Sequence, residues 1–238
     1  MNKNLILICA GKDALHQRWE QLHLDHGFDL ALLVYDGTVY DDPNSNAAKW
    51  NLHCAGMKFE NIHRFLTEQD WSQYDSIGMI DDDVLTTPAD IQAVFAMGRH
   101  HQFDLWSPAM GEGSYISHRA TAQQPDYDFR ISNVVEIMCP FWTRRALEAC
   151  LPDFVDAPNK QGYGLEYSWE ALLESHNGRT KFGGWVAIVD KYPMVHTKPV
   201  TQCPDISEPD TWHFRRKYGI EHLWVFNEQV LKGYKSNV

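Results

Sequence analysis

The chain has 238 residues, 44% of them hydrophobic and 22% charged, with a formal net charge of -11 at pH 7. That size suits one α/β domain with a buried core, and the acidic balance excludes a general nucleic-acid binder, which needs a basic face. Five cysteines (Cys9, Cys54, Cys139, Cys150 and Cys203) are an odd number without a CxxC pair, which points to free thiols in a reducing compartment and so to the cytoplasm.

The apolar run 5–10 is too short for a signal-peptide core or a membrane span and reads as a buried first strand. A helix is predicted from Asp13 as N-cap through Leu24, with Leu15, Trp19 and Leu22 on one face. Residues 28–35 form a second strand closed by Asp36-Gly37, and the polar stretch 38–48 reads as loop. Phe59, Ile62, Phe65 and Leu66 recur at helical spacing, and a strand over 74–80 then delivers Asp81-Asp82-Asp83. A helix opening at Thr87-Pro88-Ala89-Asp90 and running to 101 buries Ile91, Val94 and Phe95, and 103–107 is a further short strand. This alternation predicts a central, mostly parallel mixed sheet flanked by helices, Rossmann-like, with ligands held outside the carboxyl ends of its strands.

The second half is less regular. Residues 111–128 are polar and read as a long loop or lid. A strand is predicted over 131–140, with Glu136 inside its apolar run, then a helix over 143–150 and another over 166–176 behind the loop Asn159-Lys160-Gln161-Gly162-Tyr163-Gly164. The strand 185–190 leads to His196-Thr197-Lys198-Pro199, and an amphipathic tail from Glu208 can pack Trp212, Phe214, Tyr218, Leu223, Trp224 and Phe226 on the body. No repeat or linker divides the chain, so 1–238 is expected to be a single domain. Within it, 1–105 forms the nucleotide-binding half, 106–200 the acceptor and catalytic half, and 201–238 a helical tail.

Three adjacent carboxylates repel one another and suit a strand poorly, so their place at a strand end points to a cation. Mg²⁺ and Mn²⁺ take one or two protein carboxylates and fill their shell with water and phosphate. The simpler alternative is a solvated acidic turn that caps the next helix. Asp83 is the expected metal ligand; Asp81 shares the metal or reaches a ribose, and Asp82 belongs to the nucleotide side or to structure. His196 is the expected imidazole ligand. Lys198 and Lys58 are the expected cations facing a diphosphate, and Asp36 the contact to base or ribose; as plain alternatives they are two solvated lysines and an Asp-Gly turn. For proton removal Glu166, at a helix start after the Gly-Tyr-Gly loop, is the leading carboxylate. Glu170 stands in reserve, and Glu136 is either paired in the core or facing the acceptor. Trp106, Tyr115, Trp142, Tyr163 and Trp169 are sugar-stacking candidates, although core packing is the commoner use of such residues.

With Asp81-Asp82-Asp83 and His196 in this order, the chain resembles a GT-A-type nucleotide-sugar glycosyltransferase. More narrowly, the segments 56–66, 74–84, 135–141 and 162–166 resemble the domain-of-unknown-function family 707, from the first strand to about Pro199. Glu166 stands where that family often carries Asp, which keeps a carboxylate but alters its reach. The resemblance implies a GT-A-like fold and a metal-dependent, hexosyltransferase-like enzyme of surface polysaccharide synthesis. It implies a UDP-sugar donor and a glycan or lipid-linked sugar acceptor, with peripheral membrane association left open. Two other readings compete. One is a haloacid-dehalogenase-like phosphohydrolase, whose D-x-D motif usually lies on the first strand and precedes Gly-Thr, whereas Val84-Leu85 follows here. The other is a non-catalytic nucleotide- or carbohydrate-binding module.

Overall fold

Strand β1 (Asn4–Ala10) is buried at every position, as an unbroken apolar run must be when both sheet faces are covered. Its side chains alternate. Leu5, Leu7 and Cys9 join one core cluster and Ile6, Ile8 and Ala10 the other. The computed structural model describes residues 3–19, 27–175, 177–199, 204–219 and 230–235. β1 lies between β2 (Asp29–Val34) and β4 (Ser76–Asp81), and β3 (Trp50–His53) adds to the outside of β2, all four strands running parallel.

The second half continues the sheet through β6 (Phe103–Met110), β7 (Phe129–Ser132), β8 (Phe141–Thr143), β9 (Trp185–His196) and β10 (Val230–Tyr234). The order is β10-β7-β9-β6-β8-β4-β1-β2-β3. β8 joins the two halves by antiparallel pairing with β4 and β6, and β6 runs parallel to β9. One face carries α2 (Lys58–Glu68), α4 (Arg144–Cys150) and α5 (Leu165–Leu173), and the other carries α3 (Pro88–His100). This is the expected mixed α/β architecture. α3 starts where the sequence places it, because Thr87 Oγ1 accepts from the Asp90 amide at 3.1 Å and Pro88 needs no amide partner there.

Three expected elements differ. The helix predicted from Asp13 is a single 3-10 turn over Leu15–Arg18, with Trp19 already extended, and residues 20–24 lie outside the described ones. Asn44 Nδ2 donates to the carbonyls of His16 at 2.9 Å and Trp19 at 2.7 Å, which ties the short turn and the extended Trp19 to the segment that carries Asn44. The Trp19 carbonyl is thereby engaged outside any continuing helix. Asn44 sits on α1 (Pro43–Asn46), one helical turn capped by the Asp42 carboxylate within the stretch expected to be loop. The strand expected over 131–140 ends at Ser132 and resumes only at Phe141; the residues between form a buried loop that carries Glu136. The strand expected to end at 190 continues to His196.

His16 is 2% exposed, contacts Ser45 Oγ at 3.0 Å, and has its imidazole pushed down to about 4, chiefly by burial. The neutral ring is the one the fold accepts. Below the ordinary value of 6.5 the unfolded chain takes up the proton first, so this stability is present above 6.5 and is lost as pH falls toward 4. The expected loss at pH 5 is about 2 kcal/mol. Urea denaturation at pH 7 and pH 5 should show a smaller difference in His16→Gln than in the wild type; equal differences would show that His16 does not set it.

The tail packs on the body through α6 (Pro204–Lys217). Phe214 is fully buried, Asp210 accepts from the Asn159 amide at 2.9 Å, and Lys217 Nζ reaches Asp153 at 2.6 Å. Leu223, Trp224 and Phe226 lie outside the described residues. Cys9, Cys54, Cys139 and Cys150 are free, and Cys203 lies outside the described residues.

Candidate active site

β4 ends at Asp81, and the chain turns through Asp82 and Asp83 into β5 (Val84–Leu85), which pairs antiparallel with the end of β9 so that Val84 lies opposite His196. This short, long-range antiparallel pairing is what the sequence alone does not reveal. It is reinforced where the Thr197 amide and hydroxyl donate to the Asp83 carbonyl at 3.0 and 2.8 Å. As a result His196 Nε2 lies 3.3 Å from Asp83 Oδ1, although 113 positions separate the two residues.

The His196 ring is oriented from behind, Nδ1 lying 2.9 Å from the Tyr115 carbonyl, which leaves Nε2 for the carboxylate. Burial works against both charges. For Asp83 the bond to His196 and the charge of Lys198 outweigh it and hold the carboxyl below its ordinary value. For His196 the Asp83 bond and the Tyr115 carbonyl outweigh it and raise the imidazole.

Asp81 behaves differently. Burial pushes its carboxyl up, and Lys58 Nζ, 2.5 Å from Oδ1, offsets part of that. Lys58 opens α2 and also donates to the Ile137 carbonyl. Asp82 instead braces the turn, since one of its oxygens accepts from the Gly11 amide and the Tyr35 hydroxyl, both at 2.9 Å. It ties the ends of β1 and β2 to the acidic triplet.

Lys58, Asp81, Asp83 and His196 line a cleft of about 630 Å³, with Glu166 and His118 also on its wall. Lys58, Asp81 and Asp83 are shared with a smaller hollow of about 290 Å³ beside Tyr35, Met57 and Asn61, which Asp82 also lines. A larger groove of about 880 Å³ runs beside α6 and meets the cleft at Glu208, but it holds none of the predicted chemistry. The first turn of α5 thus brings Glu166 to the triplet's cleft, whereas Glu170, one turn on, is not part of its lining. Lys198 is exposed beyond β9, and Asp36 is an exposed turn residue whose oxygens accept from the Lys12 and Thr38 amides at 2.8 and 3.0 Å. Tyr163 lines the cleft, while Trp106, Trp142 and Trp169 are core and Tyr115 is exposed. The 111–128 segment contributes Ile116, Ser117 and His118 to the wall.

The glycines before α5 serve packing. Gly162 and Gly164 have φ of +91° and +82°, and a Cβ there would strike the Phe59 ring and the Thr211 backbone. They let the loop close on α2 and α6.

Among the described residues no three His, Cys, Asp or Glu side chains converge as a metal cluster. Asp83 and His196 do form a two-donor set. That set fits a cation that binds one or two protein groups and takes its remaining ligands from phosphate and water, and an imidazole donor favours Mn²⁺ over Mg²⁺. Among the described residues no helix is long and apolar enough to cross a membrane.

No protein-family model matches the chain, so the resemblance to family 707 finds no support there, and no curated protein matches it. Solved structures do match in fold. S. aureus TarS 1-349 aligns over 94% of this chain and 66% of its own, with 10% identity and a TM-score of 0.56. The same TarS fragment in complex with UDP aligns at 12% identity with a TM-score of 0.54. A mycobacterial protein aligns over 98% of this chain and 86% of its own, with 13% identity and a TM-score of 0.54. The chain spans just under two thirds of the TarS fragment and 40% of a longer TarS structure. At these identities the likeness establishes a shared fold, a mixed α/β sheet flanked by helices.

Proposed function

We propose that the chain is a metal-dependent glycosyltransferase that moves a sugar from a nucleoside-diphosphate donor to a hydroxyl of a glycan or lipid-linked acceptor, in surface polysaccharide synthesis. The observation that carries this reading is one cleft, at the carboxyl end of β4, that gathers Asp83, His196, Lys58 and Glu166. TarS, a structural neighbour, has been solved with UDP and with UDP-GlcNAc, which supports a UDP-sugar as the donor.

Asp83 and His196 would hold Mn²⁺ or Mg²⁺, with Asp81 beside them, and the ion would offset charge on the diphosphate leaving group. Lys58 supplies fixed positive charge in the cleft, and Lys198 adds more at its mouth. Asp36 and Tyr35, at the end of β2, mark the nucleoside side, next to the smaller hollow. Glu166 is the proton acceptor for the acceptor hydroxyl.

The position of the triplet on β4, after β1 to β3, supports transfer over the phosphohydrolase alternative. The test is a panel of UDP- and GDP-sugars with Mn²⁺, read as nucleoside-diphosphate release, beside p-nitrophenyl phosphate. Release from a UDP-sugar without phosphate-ester turnover is the expected result. The reverse would favour the phosphohydrolase, and binding without turnover would favour a carbohydrate- or nucleotide-binding module.

A further inference from the structure

Glu136 lies in the buried loop between β7 and β8 and is itself fully buried. Its Oε1 accepts from Thr121 Oγ1 at 2.6 Å, the His118 amide at 3.2 Å and the Ser117 amide at 3.3 Å, while its Oε2 has no hydrogen-bond partner among the described residues. A buried carboxylate is costly unless donors surround it, and here all three donors come from the short stretch 117–121. The carboxylate therefore fixes that turn to the body of the protein.

The residue that the turn carries is His118. Its Nε2 lies 3.6 Å from Glu166 Oε1, and the other Glu166 oxygen is buried without a hydrogen-bond partner among the described residues. The separation exceeds a hydrogen bond but is within ion-pair range, and such contacts commonly tighten once substrate is bound.

We propose that His118 is a positioning residue for Glu166, anchored in turn by Glu136, so that two residues from separate segments set the proton acceptor of the transfer. This rests on the reading of Glu166 as the base. In the step concerned, the acceptor hydroxyl gives its proton to the Glu166 carboxylate as its oxygen bonds to the anomeric carbon. The bond from that carbon to the diphosphate oxygen breaks, and its electron pair leaves with the diphosphate. His118 fixes the carboxylate through Oε1 and carries no part of the sugar.

Lys58, Asp81, Asp83, His196 and Glu208 line the same cleft, so the test must follow the pair itself. NMR titration of the His118 imidazole, assigned by its absence in His118→Gln, should show a midpoint lower by about half a unit or more in Glu166→Gln, because a neighbouring negative charge is removed. UDP-sugar turnover should fall about 10-fold or more in His118→Gln, and the His118→Gln/Glu166→Gln double variant should be no slower than Glu166→Gln alone. His118→Asn serves as a second variant if the first loses its cooperative melt. An unmoved midpoint, or losses that multiply in the double variant, would overturn the proposal. Wild-type turnover in His118→Gln alongside a dead Glu166→Gln would overturn it while sparing the base assignment. Full turnover in Glu166→Gln with the NMR shift intact would instead remove the base assignment, and this role with it.

Discussion

Glu166→Gln is expected to lower sugar transfer by roughly 10²-fold or more while donor and metal binding stay at wild-type level, the usual scale for losing a positioned proton acceptor. The substitution keeps the side chain's shape, turns one acceptor oxygen into an amide donor and removes its basicity. Glu166 opens α5 behind Gly164, and it shares its cleft with Asp83 and His196. Binding is read by calorimetry with UDP and Mn²⁺, and transfer by UDP release. Near wild-type transfer in Glu166→Gln, with loss in Glu136→Gln or Glu170→Gln, would move the base to that residue. Activity in all three would favour a retaining mechanism without a protein base.

Asp83→Ala should abolish the metal-dependent part of nucleoside-diphosphate binding, and His196→Ala should weaken metal and diphosphate together by about 10- to 100-fold. The chain carries a net charge of -11 and a triplet of carboxylates at the cleft, so an anionic ligand is repelled unless a cation intervenes. In Asp83→Ala the imidazole keeps its Tyr115 contact but loses its carboxylate neighbour. UDP and GDP calorimetry with Mn²⁺ and then with EDTA separates the two contributions. Equal affinity under both conditions in the wild-type protein would remove the metal from the reading.

Much of the scaffold was legible in the sequence because local and global preferences agree there. The unbroken apolar run of β1, the Thr87-Pro88 start of α3 and the helical spacing of Phe59, Ile62 and Phe65 need only periodicity and capping to be read. Two of the failures share a cause, side chains that engage backbone groups from far along the chain, whereas β9 outruns its expected end because β5 pairs with its tip. Asn44 binds carbonyls 25 and 28 positions away where the predicted first helix stops. Glu136 sits in an apolar run that imitates a strand, yet it satisfies amides of 117 and 118. Asp81, Asp83, His196, Lys58 and Glu166, singled out in the sequence by residue type and position, line one cleft. His118 carries no such signal, because one histidine among 12 in a polar loop has no local pattern to mark it; only the Glu136 anchor reveals it.

β9 runs 12 residues from the core to His196, pairing with β6 and β7 along its length and with β5 at its tip. Its pairing with β6 is regular from Val186 to Val189 and then shifts, two steps along β6 standing opposite five along β9 before Met194 pairs with Met110. Alternate residues of a strand face opposite ways, so the regular stretch fixes which side chains enter the core, and the core pairings of Ala187, Ile188 and Val189 resist a slip there. The irregular stretch beyond Val189 is where this strand takes up extra length before β5 pins the His196 end.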